Sequence, residues 1–263
     1  MRLQIDDVEI EFDRHGNSGP TMLLVHGLGG SRKTWSALAA QLAERATVIV
    51  PDLRGCGDST RGSAPWSLAR VAEDLEALIA TLGLRSCIAV GHSLGGVLVQ
   101  ELLARGRTPL AAAVLVSTSS RIGAAATENW RRIADIVESR GLSDSPAAQA
   151  RGYAEGWAEA HPDIVRVHAA IAAATDRRVY AEQARAASSY DYTAALATVL
   201  CPVLVLQGLA DRLTPPGGSV LLHRALPAGA RLEMIEGAGH NLPIEMPEHV
   251  AALLLDFAAG IAS

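Results

Sequence analysis

Between Ser86 and Arg105 the chain runs through a short apolar stretch, the pentapeptide Gly91-His92-Ser93-Leu94-Gly95, a further glycine at 96, and then a stretch with helical spacing. A strand that turns directly into a helix leaves almost no room at the corner. Residues two before and two after its middle must be tiny, and Gly91 and Gly95 stand there with no Cβ to clash. Such a corner holds the serine between them exposed at the strand end. Free N–H groups and the positive end of a helix dipole begin at the same point. The plainer alternative is a Gly-rich turn with a surface serine. The strand pattern before the pentapeptide and the helix pattern after it favour the first reading.

The rest of the chain repeats that rhythm. Apolar runs at 4–6, 8–13, 21–25, 47–50, 87–90, 113–116, 203–207 and 231–235 are strand candidates. Most lack apolar–polar alternation, as expected of strands buried on both faces. Helical spacing occupies 35–43, 68–82, 96–105, 218–226 and 247–259. Alternating strands and helices predict an α/β fold with a doubly wound, mostly parallel sheet. The first two strands, joined by a very short turn, should pair antiparallel at one edge.

Between Ser120 and Thr193 the rhythm stops. No strand-like run occurs there, and helices are expected near 127–140, 146–160, 162–174 and 177–188. We therefore expect a core of 1–120 and 194–263 and a small helical cap of 121–193. An insert after a sheet strand is placed to cover the C-terminal strand ends, where α/β proteins bind ligands. All four Tyr (Tyr153, Tyr180, Tyr190, Tyr192) and two of the four Trp (Trp130, Trp157) fall in it. Trp130, Tyr153 and Trp157 are the candidates for lining a substrate pocket. The alternative is that such aromatics only pack the insert onto the body.

Charge and composition narrow the partners. The net charge is -5, and the 23 basic residues, all Arg but Lys33, form no run. Nucleic acid is not an expected partner. The first 14 residues alternate apolar and polar and do not read as a signal peptide, and no apolar stretch has membrane-spanning length. Cys56, Cys87 and Cys201 have unrelated spacings, so reduced thiols and a cytoplasmic location are expected.

A serine hydroxyl is a weak nucleophile at neutral pH. It needs a histidine base, and the histidine needs a carboxylate to orient it. Asp211 follows the run at 203–207 and His240 the run at 231–235, so both should reach the sheet end that carries Ser93. Among the eight histidines, His15 and His249 read as surface residues. His161, His168 and His223 lie on helices, and His92 should point away from the serine's pocket. Asp191, the rival acid, sits at the insert's exit, where holding a loop is the simpler role. The segment Val25-His26-Gly27-Leu28-Gly29-Gly30 lets backbone approach a substrate closely. The N–H groups of Leu28 and Leu94 are the expected oxyanion donors, with His26 as a strut.

Taken with Asp52-Leu53-Arg54-Gly55-Cys56-Gly57-Asp58-Ser59, these motifs in this order resemble the α/β-hydrolase superfamily over nearly the whole chain. In that family the order is Ser, Asp, His, and the loop at 52–59 is a structural turn near the pocket. A serine at 93, where epoxide hydrolases and haloalkane dehalogenases have aspartate, disfavours those activities. The chain is most similar to small bacterial carboxylesterases and 3-oxoadipate enol-lactonase-like enzymes. That resemblance implies a serine esterase or lactonase working on a small-molecule substrate, with no metal or organic cofactor. C–C bond hydrolases of ring-fission products, cofactor-free haloperoxidase-like perhydrolases and ligand receptors share the scaffold and remain open.

Overall fold

The computed structural model describes residues 1–142 and 150–262. One sheet holds β1 (Arg2–Ile5), β2 (Val8–His15), β3 (Thr21–Val25), β4 (Thr47–Pro51), β5 (Ile88–His92), β6 (Ala112–Val116), β7 (Val203–Gly208) and β8 (Arg231–Ile235). Their order across the sheet is β1-β2-β4-β3-β5-β6-β7-β8. β1 pairs antiparallel with β2 and β2 with β4, and every pairing from β4 to β8 is parallel. Each strand lies within two residues of the apolar run that predicts it.

Burial explains the missing alternation. Along β3, Leu23 and Val25 join one hydrophobic cluster while Met22 and Leu24 join another. Residues on both faces of the strand are therefore shut off from water. The helices α1 (Ser36–Leu42), α2 (Leu68–Thr81) and α3 (Leu94–Arg105) follow strands and cover them. Val71, Leu75, Leu98 and Leu102 bring α2 and α3 onto the first cluster. Leu38 and Leu42 of α1 lie in the second, together with Val250 and Leu254 near the C-terminus. The result is the doubly wound α/β sheet expected.

Between β6 and β7 come α4 (Ala124–Arg140), α5 (Trp157–Ala160), α6 (Pro162–Ala174) and α7 (Arg177–Ala187), with no strand among the described residues. The ends of this stretch are pinned side by side. Arg121 and Asp191 form an isolated bridge, and the Tyr192 N–H donates to the Ser120 carbonyl at 2.8 Å. Four more helices follow: α8 (Thr193–Leu196), α9 (Pro216–Ala225), and α10 (Leu242–Glu245) running into α11 (Pro247–Ala262).

One expected helix is not formed as such. The span 146–160 lies partly outside the described residues; within them Ala150 and α5 are helical and 151–156 are not. Tertiary hydrogen bonds claim the backbone that a helix would need. The Gly152 carbonyl accepts from the Asn241 N–H at 3.0 Å, and the Ala154 N–H donates to Glu245 at 2.9 Å. Gly156, at φ +77°, then turns the chain into α5.

Candidate active site

Ser93 stands between β5 and α3 with φ 54° and ψ −118°. Outside glycine such a backbone costs about 1–3 kcal/mol, so the surroundings must impose it. They do so by close approach. A Cβ at Gly91 would lie 2.3 Å from the Gly95 carbonyl oxygen, and one at Gly95 2.1 Å from that of Val25. The Ser93 N–H is anchored to the Val116 carbonyl of β6 at 2.9 Å. No side chain caps α3, so the amides of its first turn stay open toward the serine.

The two parallel strands β7 and β8 bring Asp211 and His240 together. Their loops are joined by the Leu209 N–H to Ile235 carbonyl and Ala210 N–H to Ala238 carbonyl bonds, both 2.9 Å. Across this junction His240 Nδ1 donates to Asp211 Oδ2 at 2.9 Å. Asp211 Oδ1 accepts from the Leu213 and Thr214 N–H groups, each at 2.8 Å, and Oδ2 also accepts from Gln207 Nε2 at 3.1 Å. Burial pushes the Asp211 carboxyl up. The His240 hydrogen bond and charge, with those from Thr214 and Gln207, outweigh it and leave the group below its ordinary value. It is a fixed anion at neutral pH, and it orients the imidazole with Nε2 free to take a proton.

Three supports here are not legible as such in the sequence, where His92 is expected only to point away from the serine's pocket. Gln207 is fully buried at the end of β7; its amide spans Asp211 and the Thr214 carbonyl, and its Oε1 accepts from Ser219 Oγ. His92, beside the serine, donates Nε2–H to the His240 carbonyl at 2.8 Å, with ring centroids 5.0 Å apart. Its ring lies under His240, edge-on to Trp35, and joins the serine's strand to the histidine's loop. Glu245 accepts at Oε2 from the Gly239 N–H at 3.0 Å and from Ala154. An apolar-polar pattern cannot flag such residues. The one available signal is a polar side chain inside an apolar run, which Gln207 carries.

Gly27 lies against the serine corner, where an added Cβ would be 3.2 Å from Ser93 Cβ. The N–H groups of Leu28 and Leu94 follow Gly27 and Ser93 directly in the chain. Among the described residues no carbonyl or side chain accepts from either. His26 is the strut expected: Nε2 accepts from the Leu53 N–H at 3.1 Å and Nδ1 donates to the Gly27 carbonyl at 2.9 Å. Gly55 and Gly57 both take positive φ in the 52–59 turn. Asp191 holds its own loop by accepting from the Thr193 N–H at 2.9 Å.

The candidate pocket residues divide. Trp130 packs against the cluster of Ala134, Ala181 and Ala184, as does Leu28. Tyr153 is buried, its backbone against Gly239 and its phenol bonded to His168 Nδ1 at 2.8 Å. Trp157 sits outside Tyr153, stacked between it and the exposed His161. Among the described residues no group of three or more His, Cys, Asp or Glu is spaced to hold a metal ion.

A family model described as alpha/beta hydrolase fold matches residues 20–247. The chain belongs to the α/β-hydrolase family. This α/β hydrolase is 31% identical to RutD of Escherichia coli O1:K1, a carbamate hydrolase by name, over 93% of this chain and 92% of that one. It is similar to a thermophilic esterase from Thermogutta terrifontis, with a TM-score of 0.91, 28% identity and full coverage of both chains. The enol-lactonase from Burkholderia xenovorans LB400 shares the fold, at TM-score 0.91 and 24% identity over 98% of this chain and 100% of that one. Among the described residues no helix is long and apolar enough to cross a membrane.

Proposed function

We propose that this hydrolase cleaves a small carboxylic ester or lactone through an acyl-enzyme formed on Ser93. The observation that carries the reading is the Asp211–His240 hydrogen bond, on a loop that His92, the residue before the strained Ser93, holds through the His240 carbonyl. Ser93 Oγ attacks the carbonyl carbon as His240 Nε2 takes its proton. The carbonyl oxygen gains negative charge, and the Leu28 and Leu94 N–H groups stabilise it. The C–O bond to the alcohol breaks, and His240 returns the proton to the leaving oxygen. Water then attacks the acyl carbon, giving its proton to His240. The Oγ–C bond breaks, Oγ regains a proton, and the acid leaves. Residues 121–193 act as the cap over this site, with Tyr153 against Gly239 beside His240 and Trp130 on the cluster that Leu28 also joins. Free thiols at Cys56, Cys87 and Cys201 fit the cytoplasm, where we place the enzyme.

The relative named for carbamate hydrolysis supports a second reading. The same attack on a carbamate carbonyl would use the same groups. Comparing kcat/KM on matched ester and carbamate substrates separates the two. For either, Ser93→Ala should lower kcat by roughly 10³-fold or more, and an alkyl phosphonate should add its mass to the peptide bearing Ser93. Labelling of another serine, with activity retained in Ser93→Ala, would overturn the assignment.

A further inference from the structure

A backbone N–H stabilises a developing charge only if its peptide is held at the right tilt, because a hydrogen bond weakens steeply with angle. For the Leu28 N–H, one end of that peptide is held locally. The Gly27 carbonyl accepts from the Gly30 N–H at 3.1 Å and from His26 Nδ1 at 2.9 Å. In a planar trans peptide the N–H points opposite to the carbonyl. Those two bonds therefore aim the Leu28 N–H the other way, where no carbonyl among the described residues accepts from it.

The other side is held from a distance. Gly29 takes φ +65° and brings no side chain of its own to fix that turn. Its N–H donates to Gln183 Oε1 at 3.0 Å, a partner 154 residues away. Gln183 is fully buried, and the other end of its flat amide donates Nε2–H to Cys56 Sγ. Oxygen and nitrogen therefore have distinct places. The helix that carries Gln183, α7, is itself fastened to the same part of the core. Glu182 pairs with Arg61 at 2.6 Å and accepts from the Trp66 N–H at 3.3 Å. Val179 and Tyr180 lie so close to Gly55 and Gly29 that an added Cβ on either glycine would come within 2.7 Å of them. Leu28 packs against the cluster of Ala134, Ala181 and Ala184, the last two also on α7.

We infer that Gln183 is a positioning residue for acyl transfer: from α7, through the Gly29 amide, it sets the Leu28 N–H at the tilt that receives the oxyanion. The inference rests on Leu28 as the oxyanion donor proposed above. Buried as it is, Gln183 acts through the loop and not on the substrate, so its effect belongs to the transition state and not to binding.

The test replaces Gln183 in the intact enzyme. Gln183→Met keeps the length of the side chain and offers the Gly29 N–H only a weak acceptor. Rates on p-nitrophenyl butyrate are taken per active site, counted by complete phosphonate labelling, so that an unfolded fraction does not enter. Loss of a whole oxyanion donor costs about 10²–10³-fold, and a tilted one less, so kcat should fall about 10–100-fold with KM within about threefold. The Ki of a trifluoromethyl ketone, which forms a tetrahedral oxyanion on the serine, should rise by the factor by which kcat/KM falls. Gln183→Asn, an amide one methylene too short to reach Gly29, should lose as much and serves if the methionine variant does not fold. Gln183→Glu keeps an acceptor for the Gly29 N–H and should restore most of both losses. Val179→Ala loosens α7 without touching that bond; it should lower Tm and leave kcat and Ki near the parent values. Parent-like kcat and Ki in Gln183→Met, equal losses in Val179→Ala, or a glutamate variant no better than methionine overturn the inference while leaving Ser93 in place. A trifluoromethyl ketone that binds the parent enzyme no tighter than the matching methyl ketone removes the oxyanion reading, and the inference with it.

Discussion

At Gly95 helix propensity and close packing point in opposite directions, and contact distance decides between them. Alanine in a helix is favoured over glycine by about 1 kcal/mol. Yet a Cβ there would lie 2.1 Å from the Val25 carbonyl oxygen and 2.7 Å from that of His26. Both are backbone atoms that no rotamer change moves aside, and overpacking of this kind costs about 1–3 kcal/mol or more. Gly95→Ala should therefore lower Tm and activity together, and a raised Tm in a thermal melt would contradict the packing argument. Acid stability is a second matter for single residues. His92 and His168, pushed down to about 3 and about 4, stay neutral when folded, while an unfolded histidine takes a proton below about 6.5. Between those values the unfolded state binds more protons, so stability rises with pH and is lost as pH falls below about 6.5. The slope is at most about 1.4 kcal/mol per pH unit for each histidine, less at the half-buried His168. Urea midpoints at pH 7 and pH 5 should fall less far apart in His168→Gln than in the parent protein. An unchanged gap would remove His168 from the account.

Among the elements, α10 matters more than its four residues suggest. It carries Glu245, 9% exposed, between the His240 loop and the turn at 152–154. One carboxylate oxygen accepts from both the Gly239 and Ala154 N–H groups. Burial pushes this carboxyl up, so a neutral amide is a close match for it. Glu245→Ala would leave the buried Gly239 N–H without a partner, at about 1–3 kcal/mol, and the part-buried Ala154 N–H at less. Glu245→Gln keeps an acceptor. Amide exchange at Ala154 and Gly239 should accelerate in the alanine variant and stay near the parent rate in the glutamine variant, with kcat following the same order. Equal behaviour of the two would mean that the acceptor is not what holds the loop. The same bonds account for the helix that residues 151–156 do not form. Helical spacing there is real, but a backbone N–H or carbonyl used across the fold is lost to the helix.

On the scale of the whole molecule, the helices between β6 and β7 meet both halves of the site. α7 reaches the Leu28 loop, where Gln183 Oε1 accepts from the Gly29 N–H at 3.0 Å. The turn at 152–154 reaches the His240 loop. Trp130 packs on the same Ala134, Ala181 and Ala184 cluster as Leu28, and Trp157 lies outside the second contact, stacked beyond Tyr153. Trp130→Ala should accordingly change relative kcat/KM between short and long acyl esters by roughly 10-fold or more. Trp157→Ala should lower Tm with that ratio nearly intact. A substrate ratio that moves equally in both variants would mean the two rings serve one pocket.

Chain order and local pattern determined a good deal without any tertiary information. Eight runs located eight strands: β3 to β7 because a strand buried on both faces must be apolar along its length, and β2 because one buried face makes apolar and polar residues alternate. Gly91 and Gly95 located the serine corner, because the clash they avoid is between near neighbours. Asp211 and His240 followed from strand ends alone, since parallel strands deliver their C-terminal loops to one side. What the fold decided are the contacts between distant segments: His92 beneath His240, Gln207 behind Asp211, Glu245 under Ala154, and the direction in which Trp130 and Trp157 face. Each depends on which polar group comes within hydrogen-bonding reach when α10, β7 and the 152–154 turn close on one another. Spacing along a chain records the period of a helix or strand; it carries no record of the partner that a side chain meets from 29 or 148 residues away.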